Sequence, residues 1–112
     1  MSKEASAKKV YSLISLCARA KFLKAGEEKC EKALRNGEAK LIIISRDASK
    51  NTVKKFTNKA FYYKVPVLLF GQKYELGKLT GAGASSSLCV TDANFYGLIK
   101  NAIELFESPG GI

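Results

Sequence analysis

FLKAGEEKCEKALRNGEAKLIIISR, running from Phe22 to Arg46, is the stretch that decides the fold. It ends in Leu41-Ile42-Ile43-Ile44, a run of β-preferring residues with no polar alternation. A strand wetted on one face alternates polar and apolar side chains. One without alternation is covered on both faces, so helices are expected above and below its sheet. Upstream, Cys30, Ala33 and Leu34 recur at helical spacing, with Lys29, Lys32 and Arg35 between them. Asn36-Gly37 stops that helix with a pair that tolerates positive φ. Ala25-Gly26-Glu27-Glu28 reads as the turn that opens it, and Phe22-Leu23-Lys24 is too brief for a helix and reads as a short strand. Amides at a helix start point outward and carry partial positive charge, so this strand, glycine turn and helix form the first candidate binding element.

On the N-terminal side, Val10, Leu13, Ile14, Cys17 and Ala20 follow helical spacing and predict an amphipathic helix over about residues 5–20. On the C-terminal side, Ser49 is a candidate N-cap for a helix through about Tyr63. That helix turns Val53, Phe56, Ala60 and Tyr63 inward and Lys50, Lys54, Lys55 and Lys59 outward. Val65 to Phe70 reads as a third strand with Pro66 at its start, where a missing donor is tolerated. Lys73 to Leu79 reads as a short helix, Gly81 to Ser87 as a loop of small residues, and Leu88-Cys89-Val90 as a last strand. Phe95, Leu98, Ile99, Ala102, Ile103 and Phe106 mark a closing helix. Residues 1–4 and 108–112 are expected to fray. The order αβαβαβαβα implies an α/β sandwich with helices on both faces of a four-stranded sheet, in one domain spanning residues 1–112.

A chain of 112 residues with 46% hydrophobic side chains is long enough for one packed core. It has no run of 18 apolar residues, and MSKEASAKK is not followed by an apolar signal-peptide region, so a cytoplasmic, reducing location is expected, with no membrane partner. Cys17, Cys30 and Cys89 have no ligand spacing and read as core residues. The net charge is +9, unevenly spread: residues 1–91 carry a net of +11 and residues 92–112 a net of −2. A polyanionic partner is the natural inference, nucleic acid first.

Catalytic chemistry is poorly supplied. There is no histidine in the chain, which removes the commonest general base, metal ligand and nucleophile activator. Glu27 and Glu28 are adjacent and diverge on a helix. The Gly81-to-Ser86 run falls one glycine short of a dinucleotide fingerprint and joins a helix to a strand, the reverse of the required order. It reads instead as a loop whose missing side chains admit a close neighbour. Neither catalytic residues nor a metal or cofactor is expected.

The residues also carry a resemblance. Gly26-Glu27-Glu28, Lys32-Ala33, Gly37-Glu38-Ala39-Lys40-Leu41, Asp47-Ala48-Ser49, Asn51-Thr52, Lys54-Lys55, Tyr63-Lys64-Val65-Pro66, Glu75-Leu76-Gly77, Gly81 and Val90-Thr91-Asp92 run in the same order as in the bacterial YlxQ-type proteins. Those belong to the superfamily of kink-turn-binding ribosomal proteins. The resemblance spans about residues 10–106 and implies a three-layer α-β-α sandwich. It also implies binding of structured RNA, ribosomal or another of kink-turn type, with the ribosome as a possible setting. A monomer without DNA specificity is expected.

The resemblance assigns RNA contacts to the loop and helix start after the first strand and to the loop before the last. Lys24 and Gly26 match the residues that open the first loop, Glu27, Glu28 and Lys29 form its helix turn, and Lys32 matches a helix lysine that reaches the RNA. Arg46, beside Asp47, lies at the end of the second strand on the same edge. Lys78 and the loop Gly81, Ala82, Gly83, Ala84 and Ser85 match the segment that packs on bulged nucleotides. The departure is Glu28-Lys29, where the best-known binders of the superfamily carry Asn then Glu. YlxQ-type proteins share it. A carboxylate accepts from guanine amines but does not donate as Asn does. The alternatives are an adaptor of the same fold whose lysine face binds an acidic protein and, more distantly, an enzyme using Cys30.

Overall fold

The computed structural model describes residues 2–108. Nine elements follow in the predicted alternation: α1 (Lys3–Arg19), β1 (Leu23–Ala25), α2 (Glu27–Arg35), β2 (Leu41–Ile44), α3 (Lys50–Tyr62), β3 (Val67–Leu69), α4 (Lys73–Thr80), β4 (Ser87–Val90) and α5 (Ala93–Glu107). The sheet has the order β1-β4-β2-β3, with β4 antiparallel to both neighbours and β2 parallel to β3.

The apolar run explains the layering. All four residues of β2 are fully buried. Leu41 and Ile43 face α1, α4 and α5, in a core with Val10, Ile14, Phe70, Leu76, Ile99 and Ile103. Ile42 and Ile44 face α2 and α3, in a second core with Cys30, Leu34, Phe56 and Ala60. The register continues the division. Ile43 lies opposite Leu88 and Ile42 opposite Cys89, and directly opposed residues share a face. Each such Ile or Leu contributes roughly 1.5–3 kcal/mol through burial.

The caps set the boundaries. Ser2 accepts from the Ala5 amide, so α1 begins at Lys3 rather than near residue 5. Lys3 and Glu4 are thus helical; of the residues expected to fray, Met1 and 109–112 lie outside the described residues. Ser49 caps α3 as expected, accepting from Thr52. Tyr63 is the C-cap of α3 and 38% exposed, not part of its buried face. The third strand is shorter than the apolar run, because Val65 is consumed by the helix end, where its amide donates to the Ala60 carbonyl.

Helices α1, α2 and α3 share one termination. In each, the amide two residues past the C-cap donates back to a carbonyl in the last turn: Phe22 to Cys17, Glu38 to Ala33, Val65 to Ala60. The residue just past the C-cap is left-handed. In α2 it is Gly37, but in α1 and α3 it is a lysine, Lys21 at φ 67° and Lys64 at φ 60°. A side chain in that conformation costs about 1 kcal/mol against glycine.

Candidate nucleic-acid interface

The ends of β1 and β2 and the start of β4 lie on one edge of the sheet, and the backbone ties them together. Ala25 pairs with Leu88, and the Gly26 amide donates to the Ser87 carbonyl at 3.0 Å. The Ser45 amide donates to Ser86. The two loops singled out in the sequence are therefore neighbours.

Gly26 sits at φ 102° as the N-cap of α2, with no side-chain cap. The first-turn amides of α2 are left for an external acceptor. Beside this helix start, a groove of about 540 Å³ runs between β1, α2 and the end of α4, lined by Lys21, Lys24, Lys29 and Lys32, with Glu38 and Thr80. None of these lysines has an ion-pair partner among the described residues. Lys24, Lys29 and Lys32 were assigned from the sequence. Lys21 was not, since nothing in a helix-terminal lysine foretells a left-handed turn that places it at the groove.

The two acidic residues of the helix start have different surroundings. The Glu27 carboxylate accepts from Lys55 of α3 at 2.9 Å. Glu31, one turn on, pairs with both Lys55 and Lys59, and their hydrogen bonds hold its carboxyl below the usual range. Glu27 is thus engaged within the protein, and so are two of the α3 lysines. Glu28 is exposed, with no such partner among the described residues.

The second loop is held by its own backbone. Ala82 donates to Gly77, Ala84 to Ala82, and Ser85 to Lys73. Gly81 is left-handed at φ 75°. The close approach lies at Gly77 in α4, where a Cβ would come within 2.5 Å of the Ala84 backbone. Ala82, Gly83 and Ala84 are exposed. Ser85 is not: it is 6% exposed, and its hydroxyl donates to the Ser87 carbonyl at 2.9 Å. It supports the loop from inside.

Two other assignments fall outside the groove. Arg46 is at the right edge by its backbone, but its guanidinium donates to Glu107 of α5 at 3.2 Å. Lys78 lines a different surface, with Tyr11, Tyr74 and Glu75. Asp47 is a structural cap. It accepts from the Lys73 amide at 2.9 Å, and that bond lowers its pKa. It thereby closes the start of α4, whose N-cap Gln72 makes no side-chain bond.

The thiols are buried, and burial pushes Cys17, Cys30 and Cys89 each up to about 12. Cys30 is a fully buried core side chain, which argues against its use as a nucleophile. Among the described residues no group of three or more His, Cys, Asp or Glu could hold a metal, and no helix is long and apolar enough to cross a membrane.

Comparison with known proteins follows the same lines. The chain is 40% identical over 85 residues to the RNA-binding protein YlxQ of Bacillus subtilis (strain 168), covering 76% of this chain and 85% of that one. It is 37% identical over 78 residues to the RNA-binding protein YlxQ of Enterococcus faecium, covering 70% and 76%. A solved Bacillus halodurans protein, titled as one of unknown function, superposes with a TM-score of 0.81 at 38% identity, over 86% of this chain and 97% of that one. The Giardia lamblia 15.5kD RNA binding protein shares the fold, with a TM-score of 0.72 at 18% identity over 92% and 88%. The family model described as ribosomal protein L7Ae/L30e/S12e/Gadd45 matches residues 8–98, and the chain belongs to that family.

Proposed function

We propose that this protein binds structured RNA, without catalysis, and that it reads a kink-turn or similarly bent element on the edge formed by the α2 start and the Gly81–Ser85 loop. The observation that carries the reading is the lysine groove beside an uncapped helix N-terminus: Lys21, Lys24, Lys29 and Lys32 offer cations, and the first turn of α2 offers amides. Double-stranded RNA has a deep, narrow major groove that side chains do not read, so recognition falls on shape, backbone and unstacked bases. Lysines supply the phosphate contacts, and the exposed Ala82-Gly83-Ala84 backbone leaves room for a splayed nucleotide. The names of the bacterial relatives support the RNA class. The kink-turn target, a ribosomal setting, a cytoplasmic location and a monomeric state are parts of the proposal that rest on the resemblance and composition.

An electrophoretic shift panel of kink-turn RNA, plain duplex and single strand, repeated over a salt series, tests this. Neutralisation of roughly four to six phosphates predicts that log K falls with log salt by about 0.7–0.9 per contact. Absence of RNA binding at low salt would refute it, and binding to an acidic protein would then be favoured for the same lysines.

A further inference from the structure

Away from the lysine groove, the end of α3 shows three consecutive aromatics, Phe61, Tyr62 and Tyr63. Phe61 is 84% exposed and Tyr62 is 77% exposed. Neither fills the core, and the Tyr62 ring is held edge-on by Tyr63, with centroids 4.9 Å apart. The exposed Tyr62 ring thus offers a flat surface to a ligand. It borders an open groove of about 1010 Å³ shared with Phe61, Asn58, Lys64 and Pro66. Tyr62 and Asn58 also border a smaller groove of about 280 Å³ that reaches Arg35 of α2. Arg35 lies one helical turn beyond Lys32, which lines the lysine groove. The two aromatic grooves are continuous through Tyr62 and Asn58, and Arg35 joins them to Lys32 along α2.

The free charge along the aromatic part of this path is positive. Glu31 is the acid that borders it, and it is already paired with Lys55 and Lys59. Arg35 and Lys64 have no ion-pair partner among the described residues. Lys64 stands in the left-handed position at φ 60°, where glycine is favoured, so a cation is kept there against backbone preference. Open aromatic faces between free cations match single-stranded nucleic acid, whose bases stack on rings while its phosphates meet the charges.

We propose that Tyr62 and Phe61 form a stacking platform for a single-stranded RNA segment that continues from the element seated in the lysine groove, with Arg35 and Lys64 on its phosphates. The route rests on the RNA reading above, but the platform is tested separately. The full chain is titrated, at low salt, into a single-stranded RNA of roughly ten nucleotides carrying 2-aminopurine, whose fluorescence falls on stacking. It is also titrated into kink-turn RNA with blunt ends and with the same single-stranded tail. Saturable quenching is expected, weakened about fivefold or more by Tyr62→Ala and by Phe61→Ala. The tailed RNA should bind at least about fivefold tighter than the blunt one, an advantage that both variants lose while keeping blunt-RNA affinity and wild-type melting. Quenching without blunt-RNA binding supports the platform and removes the kink-turn reading. Blunt-RNA binding with no quenching, no gain from the tail and no effect of either variant overturns the platform alone, and leaves the aromatic surface to a protein.

Discussion

The Gly26 amide and the Ser85 hydroxyl meet on one acceptor, the Ser87 carbonyl, at 3.0 and 2.9 Å. The loop that opens α2 and the loop that follows α4 are thereby fixed to the same atom. The shared acceptor holds the two loops side by side. The edge is preorganised, which lowers the ordering cost of binding.

Ser85→Ala tests that coupling. The change deletes one buried hydrogen bond and should cost about 1 kcal/mol in stability. Its effect on recognition should be larger than that of an exposed loop change such as Ala82→Ser. Thermal melts and RNA titrations of the two variants check this; equal RNA affinities would mean that the hydroxyl only fills space.

Gly77 and Gly97 make a matched pair, since both lie within helices. A Cβ on Gly77 meets the Ala84 backbone at 2.5 Å, whereas one on Gly97 meets nothing within 4 Å. Gly77→Ala should destabilise by about 1–3 kcal/mol and disturb the loop. Gly97→Ala should stabilise by about 0.5–1 kcal/mol by favouring the helix. Denaturant midpoints for the two, moving in opposite directions, are the expected result.

The lysines can be ranked. Lys32→Ala should weaken RNA binding by about 1–3 kcal/mol if it makes a base-edge or buried phosphate contact. Lys100→Ala, which removes an exposed α5 pair with Glu104 at 3.3 Å, should do almost nothing. Lys21→Gly should separate stability from function: relief of the φ 67° strain raises stability by up to about 1 kcal/mol while RNA affinity falls. Uniform effects across the three would mean a diffuse basic surface without a site.

Alkaline pH should destabilise the protein through its buried thiols and Tyr11. The three thiols rise from an ordinary 9.0 to about 12 on folding, through burial first. Tyr11 rises from 10.0 to about 12, through burial and then its bond to Glu75. Above pH 9 the unfolded thiols release protons that the folded ones keep, so stability is intact below that value and falls as pH rises toward 12. Denaturant melts across this range should show the decline, and iodoacetamide should label the native thiols slowly at neutral pH.

Much of this architecture is legible along the chain. Leu41 to Ile44 announces a strand buried on both faces, and from that the three layers follow. Ser49 and Gly37 mark helix ends by residue type. Strand order is a different matter: β4 enters between β1 and β2, and no local pattern encodes that neighbourhood. At the candidate site, Lys24, Lys29 and Lys32 share a groove because they share a strand end and a helix face. Lys21 escapes notice because its position depends on a left-handed turn that its residue type does not favour. Arg46 and Glu27 lie on the right edge, yet Glu107 and Lys55 engage them from elements distant in sequence. Phe61 and Tyr62 lie off the apolar stripe of α3, and the fold leaves both exposed.

In the proposed function the α2 start and the small-residue loop together read a bent RNA. A titration of wild type, Glu28→Asn, Glu28→Leu and Ala84→Trp against a kink-turn, and against the same RNA with its G·A pairs replaced, tests it most directly. Glu28 is exposed, and its chain neighbour Lys29 lines the lysine groove. Asn in its place removes a negative charge next to a polyanion and supplies a donor, so affinity for the kink-turn should hold or improve. Leu loses the acceptor and should weaken it. Trp at Ala84 occupies the exposed loop and should abolish discrimination while leaving duplex affinity. Wild-type preference for the intact kink-turn, shifted in those directions, is the predicted result; equal binding of both RNAs by wild type, with a ratio that none of the three changes alters, would contradict it.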